Sequence, residues 1–203
     1  MYRSGSTWLY NAVRLVLEEA RVPGVTAGWI ADREKILAAR HSVLKIHAYD
    51  EKLAEPGNIV LTSHRDLRDI AASLSRKFSF TMETLQETVE AHARWAEVAV
   101  YDLRYENLLT DRMRELRKVA GLLRLPEPTV EALPFESILG KLEGEKFTEK
   151  RSTAQRFDSV NLLHDGHITD GRHGSWDGAL STESVREIEQ KYRPWLTARG
   201  YLT

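Results

Sequence analysis

Three groups of residues in this chain have side chains suited to holding and moving an anion. The first is Arg3-Ser4-Gly5-Ser6-Thr7-Trp8, which runs directly into the apolar-periodic stretch 9–17. The opening N–H groups of a helix lack internal partners and lie at the positive end of its dipole. Gly5 permits close backbone approach, Arg3 adds a planar donor fork, and Ser4, Ser6 and Thr7 add hydroxyls. Such a junction is a cradle for a phosphate or a sulfate. The second group is Lys45 and His47, at the end of the short apolar run Val43-Leu44-Lys45-Ile46-His47. Strand alternation puts both on one side, a mobile cation beside a group that takes up a proton near neutral pH. The third is Arg65, followed two helical turns later by Ser73.

These groups need a frame. Periodicity and capping signals predict helices over about 6–19, 32–40, 66–76, 82–97, 111–123 and 128–142. Ser181-x-x-Ser184 opens a last helix that ends near Arg199-Gly200. Residues 42–47, 58–63 and 98–103 read as strands, and Trp29 falls in a loop or short segment. Strands alternating with helices imply a three-layer α/β fold, a mainly parallel sheet flanked by helices, of the P-loop NTPase type. In such sheets ligands bind outside the carboxyl ends of the strands, where Lys45, His47 and Arg65 fall. A phosphate loop normally follows a buried strand, yet only Met1 and Tyr2 precede this one. The first strand is therefore expected to be missing, through truncation or a mis-set start. Residues 1–203 read as a single domain, with a polar, glycine-rich, lid-like loop over about 144–180.

Composition narrows the function. At 203 residues and 42% hydrophobic, the chain can bury a core of one domain. A net charge of −1 gives no reason to expect a nucleic-acid partner, so an anion site must be built locally. The absence of cysteine excludes thiolate catalysis and disulfides. With no membrane-length apolar run, no membrane span is expected, and the cysteine-free composition fits a cytoplasmic setting.

The three groups also resemble, in order, motifs of the sulfotransferase family that uses 3′-phosphoadenosine-5′-phosphosulfate. Residues 2–8 resemble its 5′-phosphosulfate loop P-[KR]-S-G-[ST]-T-W, with Tyr2 in place of proline. Lys45-Ile46-His47 resembles its K-T-H segment, in which the lysine meets the transferring sulfonate and the histidine is the general base. Arg65 and Ser73, with Asp69 between them, resemble its 3′-phosphate site R-[ND]-P-x-D-x-x-x-S, with Leu67 in place of proline. Tyr105-Glu106-Asn107-Leu108 resembles [RY]-Y-E-D-L, which makes Tyr105 the candidate adenine contact. Gly171-Arg172-His173-Gly174-Ser175-Trp176 resembles R-K-G-x-x-G-D-W; Thr169-Asp170 replace the Arg-Lys pair, leaving Arg172 or His167 as substitutes, with Gly174 in the same loop. The loop tryptophan of the family packs on adenine, so Trp8 is a further contact.

The resemblance implies sulfonate transfer to a hydroxyl or amine, with adenosine 3′,5′-bisphosphate as product. His47, Lys45 and Arg3 would be catalytic, and the acceptor a small molecule or a glycan or lipid hydroxyl. Glu51 is the fallback base. No metal is expected at the reacting centre. Two alternatives stay open. Residues 98–102 also read as a Walker B strand with Asp102 on magnesium, as in a metal-dependent P-loop kinase or NTPase, although no G-x-x-x-x-G-K-[ST] run accompanies them. An inactive nucleotide-binding relative is the other. His164, Asp165, His167, Asp170 and His173 are a conceivable metal cluster that reads better as a solvated lid, and Arg68 and Arg76 read as a solvated basic helix face. Acceptor identity and oligomeric state are not legible.

Overall fold

The computed structural model describes residues 1–77, 80–153, 156–166 and 171–203. The loop of residues 3–5 leads into helix α1 (Ser6–Glu19), whose face of Leu9, Val13 and Val16 is buried. Strand β1 (Val25–Trp29) follows, then the short helix α2 (Arg33–Leu37) and strand β2 (His41–Lys45). The two strands pair in parallel from Val25–His41 to Trp29–Lys45. The loop or short segment expected around Trp29 is thus a strand. Its pattern is weak because Gly28 and Ala27 supply little apolar surface, and the partner β2 decides the conformation. Gly28 has a reason of its own: a Cβ there would stand 2.8 Å from the Ile36 side chain of α2.

Strand β3 (Leu61–His64) runs into α3 (Leu67–Ser75), capped as expected by Asp66, whose carboxylate accepts from the Arg68 N–H at 2.9 Å. Helix α4 (Met82–Ala96) leads to β4 (Tyr101–Arg104), which pairs in parallel with β3 from Leu61–Tyr101 to His64–Arg104. Next come α5 (Tyr105–Thr110), α6 (Arg112–Leu122), α7 (Glu127–Glu131) and α8 (Phe135–Gly144). The helix expected over 128–142 breaks near Pro134, which lacks the N–H a continuous helix needs. The last expected helix is likewise two, α9 (Thr182–Lys191) and α10 (Arg193–Ala198), with Pro194 in the first turn of the second.

Among the described residues the named strands pair in parallel, as the alternation of strands and helices implies, but in two separate pairs, β1–β2 and β3–β4, with isolated antiparallel bridges only at Ser152–Asp158 and Phe157–His164. Among the described residues no strand precedes α1; the Met1 amine instead donates to the Ser63 carbonyl on β3 at 3.2 Å. Helices flank the strands in two packed groups. Leu9, Val13 and Val16 of α1, Leu116 and Val119 of α6 and Ile138 of α8 form one core with Leu103 of β4. Leu67 and Ile70 of α3, Leu85 of α4, Ile188 of α9 and Leu196 of α10 form the other. Helix α1 packs on both β2 and β3, and α4 on β3.

Arg68 departs from expectation. It is buried rather than solvated: its guanidinium holds Asp66 through Nη2 at 2.6 Å, Glu189 through Nη1 at 2.6 Å and the Tyr201 carbonyl at 2.9 Å. It also lies over the Trp176 ring at 4.4 Å. A buried guanidinium needs this full set of partners, since desolvation is costly without them. Arg68 thereby ties α3 to α9 and to the segment after α10.

Candidate anion-binding site

Gly5 starts the site. It sits at the N-cap of α1 with φ 86°, a left-handed conformation that costs an L residue roughly 1–2 kcal/mol. A Cβ there would also stand 3.0 Å from Leu108 Cδ1 and 3.2 Å from Tyr105 Cδ2. Gly5→Ala is accordingly expected to destabilise the protein by about 1–3 kcal/mol, since strain at such a position adds to the crowding. Urea unfolding reads this; an unchanged midpoint would show that the loop relaxes without cost.

The loop turns its side chains in different directions. Ser4 is fully buried, and its hydroxyl donates to the Met1 carbonyl at 2.9 Å and meets Ser63 Oγ at 2.7 Å. It fastens the loop to β3, so any contribution of Ser4 to an anion falls to its backbone N–H. Ser6 is the first residue of α1, half-buried at the open end of the helix. Thr7 is buried, with its hydroxyl in contact with Lys45 Nζ. Trp8 packs partly against the α1 core, with its indole N–H buried and without a hydrogen-bond partner among the described residues.

Three cations converge on this helix end. Arg3, itself at φ 56°, donates through Nε to Ser73 Oγ at 2.9 Å. Sequence reasoning assigned Arg3 and Ser73 to opposite ends of a donor; the structure brings them into contact. Arg65 is 3% exposed, donates to the Arg3 carbonyl at 3.4 Å and lies over the Tyr105 ring at 4.3 Å. Its Nε has no hydrogen-bond partner among the described residues. Burial, then the charge of Arg65, lowers the Arg3 pKa. Burial, then the charge of Arg3, pushes Lys45 down to about 7. Crowded, desolvated like charges at a helix N-terminus are relieved by an anion.

His47 lies two residues beyond β2. Its ring is 4.1 Å from that of Tyr2 and 5.4 Å from that of Trp29, and Lys45 Nζ stands 5.9 Å above Trp29. The base candidate thus sits in an aromatic corner next to the cationic cluster. Tyr105 is at the start of α5 rather than within a strand, and its hydroxyl donates to the Gly171 carbonyl at 2.9 Å.

The segment 171–176 closes over the site, and the residue that fastens it was not assigned a role from sequence. Asp69 on α3, fully buried, accepts from the N–H groups of Gly174 at 2.9 Å and Trp176 at 3.0 Å and from the Ser175 hydroxyl at 3.2 Å. Arg65, 3.8 Å from Asp69, adds a bond from Nη2 to the Arg172 carbonyl at 2.6 Å. Arg76 donates to the Ser175 carbonyl at 2.8 Å. The Gly174 N–H is therefore engaged with Asp69, while the Arg172 side chain is exposed at the rim. The signal for Asp69 was its position one helical turn after Arg65.

Of the histidine-rich lid, His167 and the pair Thr169-Asp170 lie outside the described residues. His173 faces Asp69 and Glu106, each at 3.6 Å, whereas His164 packs on the Phe157 ring at 5.7 Å. Asp102 is turned toward Thr62, His64 and His92. Burial alone would raise its pKa, but the two histidines beside it outweigh burial and hold the carboxyl well below the usual carboxylate range.

The chain has a sulfotransferase fold, of the P-loop-like type. Among solved structures it is similar to the mouse sulfotransferase SULT7A1 complexed with PAP, at a TM-score of 0.63 and 16% identity, covering 97% of this chain and 81% of that one. Neither the protein-family models nor the curated proteins contain a match to the sequence. Among the described residues no helix is long and apolar enough to cross a membrane.

Proposed function

We propose that this chain is a sulfotransferase that takes its sulfonate from 3′-phosphoadenosine-5′-phosphosulfate. The observation that carries the reading is the convergence of Arg3, Lys45 and Arg65 on the N-terminus of α1, with Ser73 bonded to Arg3. The likeness to a structure complexed with PAP supports it. In this reading the backbone of residues 3–7 and Lys45 hold the 5′-phosphosulfate. Arg65 and Ser73 hold the 3′-phosphate, while Tyr105 and Trp8 border the adenine. Arg172 and Gly174 belong to the closing segment.

His47 takes the proton of an acceptor hydroxyl or amine as the acceptor atom attacks sulfur. The bond from sulfur to the phosphate oxygen breaks on the opposite side, releasing adenosine 3′,5′-bisphosphate (PAP). Lys45 and Arg3 neutralise the charge that grows on the sulfonate and on the leaving oxygen, so catalysis rests on positioning and electrostatics. Tyr2 and Trp29 form the wall against which an acceptor meets His47, a setting for a small molecule or a glycan or lipid hydroxyl. Residues 144–180 serve as the lid of a single domain spanning 1–203, and the protein works in the cytoplasm without a metal at the reacting centre.

Thermal unfolding with PAP, compared with ADP and with ATP with and without magnesium, tests the donor site. At about 100 times its dissociation constant a specific ligand adds roughly 2.7 kcal/mol. That raises the midpoint by roughly 5–10 °C for a chain of this size. The expected result is a rise with PAP that is independent of magnesium. A rise only with ATP and magnesium would replace the reading with a kinase or NTPase, and no rise with any of them would replace it with an inactive relative.

A further inference from the structure

We propose that His64, His92 and Asp102 form a binding site for one divalent transition-metal ion of the zinc class, separate from the anion cradle. The residues come from three elements: the end of β3, the buried face of α4 and the middle of β4. Their sequence spacing follows no metal motif, and only the parallel pairing of β3 with β4 and the packing of α4 on β3 unite them.

The geometry fits a small ion. His64 Nδ1 lies 3.0 Å from Asp102 Oδ2, and His92 Nε2 lies 3.1 Å from Asp102 Oδ1. One ligand atom from each residue falls within 4.8 Å of the others. Tetrahedral zinc, with bonds of about 2.0–2.1 Å, sets its ligand atoms roughly 3.3 Å apart, so an ion requires only small adjustments. His64 is 8% exposed, and its Nδ1 has no hydrogen-bond partner among the described residues: Asp102 is near but out of line for a directed bond. A buried imidazole nitrogen aimed at a carboxylate without bonding it is the geometry a shared cation would organise.

The donor set fits the zinc class. Two imidazoles and a carboxylate suit zinc, cobalt or nickel rather than magnesium or calcium. Thr62 donates to Asp102 Oδ1 at 2.9 Å, the kind of outer contact that orients a ligating carboxylate. The Trp195 ring lies edge-on to both histidines at 6.2 Å and forms an apolar wall. The Asp102 side chain keeps 27% of its surface open, which leaves an entry path and room for water as a further ligand. An ion here pins the end of β3 to α4, one residue before Arg65, and so steadies the cradle without entering its chemistry.

Titration of chelator-treated protein with Co²⁺, followed by visible absorption, tests the site. The expected result is one equivalent bound with a tetrahedral spectrum that Zn²⁺ displaces. Affinity should fall by at least about tenfold in His92→Gln and in Asp102→Asn, because even outer partners of a metal contribute that much. His173→Gln, in the neighbouring Asp69–Glu106–His173 cluster, should bind as the parent does. Absence of stoichiometric binding by the parent, or loss in His173→Gln with retention in Asp102→Asn, overturns the proposal. Should the variants unfold, the ring ¹⁵N shifts of the parent decide: Zn²⁺ at one equivalent moves two of the seven histidines if the site exists, and moves His173 or none if it does not.

Discussion

Replacing His47 with alanine is expected to lower turnover by about 10²–10⁴-fold while PAP binding is nearly unchanged. The split follows from position. His47 lies beyond β2 against the rings of Tyr2 and Trp29, whereas the cations proposed to hold the donor come from the loop, β2 and the β3–α3 junction. Removing the imidazole deletes the proton acceptor and leaves the anion cradle intact. Steady-state rates with PAP affinity measured in parallel separate the two. Full turnover in the variant would shift the role of base to a carboxylate such as Glu51, and a loss of PAP affinity equal to the loss of rate would make His47 a donor contact instead.

Lys45→Met is expected to act in opposite directions on rate and stability. Turnover should fall by about 10²–10³-fold, the usual cost of deleting one donor that meets developing charge. The unliganded protein should become more stable, with a midpoint higher by about 2–4 °C for each kcal/mol recovered. The reason is that Lys45 is buried, with its pKa pushed down to about 7 by desolvation and then by the charge of Arg3. Its ordinary value is 10.5, so between about pH 7 and 10.5 the unfolded chain carries the extra proton. Stability of the free protein therefore rises with pH across that window, and the variant should lose this part of the slope. Donor binding reverses the pressure, because a dianion beside Lys45 favours its charged form and draws a proton from solution above pH 7. A lower midpoint with normal turnover would make Lys45 a structural partner of Thr7 and nothing more.

What could be read from the sequence was mostly local. The helix over 6–19, the Asp66 cap and the cation-bearing ends of β2 and β3 follow from period, capping chemistry and alternation, which depend on near neighbours in the chain. Ser4 was not legible as a fastener, because its direction is set by Ser63 on a strand far along the chain. Arg68 reads as solvated on helical periodicity alone; its burial depends on Glu189 and Tyr201. The strand at Val25–Trp29 is decided by its partner, and the meeting of His64, His92 and Asp102 exists only once two strands and a helix are assembled.

The Asp69 clamp also has a consequence for the order in which the molecule forms. Its partners Gly174 and Trp176 lie 105 and 107 residues downstream, and Arg65 reaches the same segment across 107 residues. Contacts of such high separation close large loops and form late. A nascent chain that has emerged only as far as α8 holds the loop, β2 and α3, but the Asp69 carboxylate has no backbone amides to accept. During synthesis the Asp69 carboxylate is therefore left to water, and the clamp closes only when the segment from Gly171 onward docks on α3.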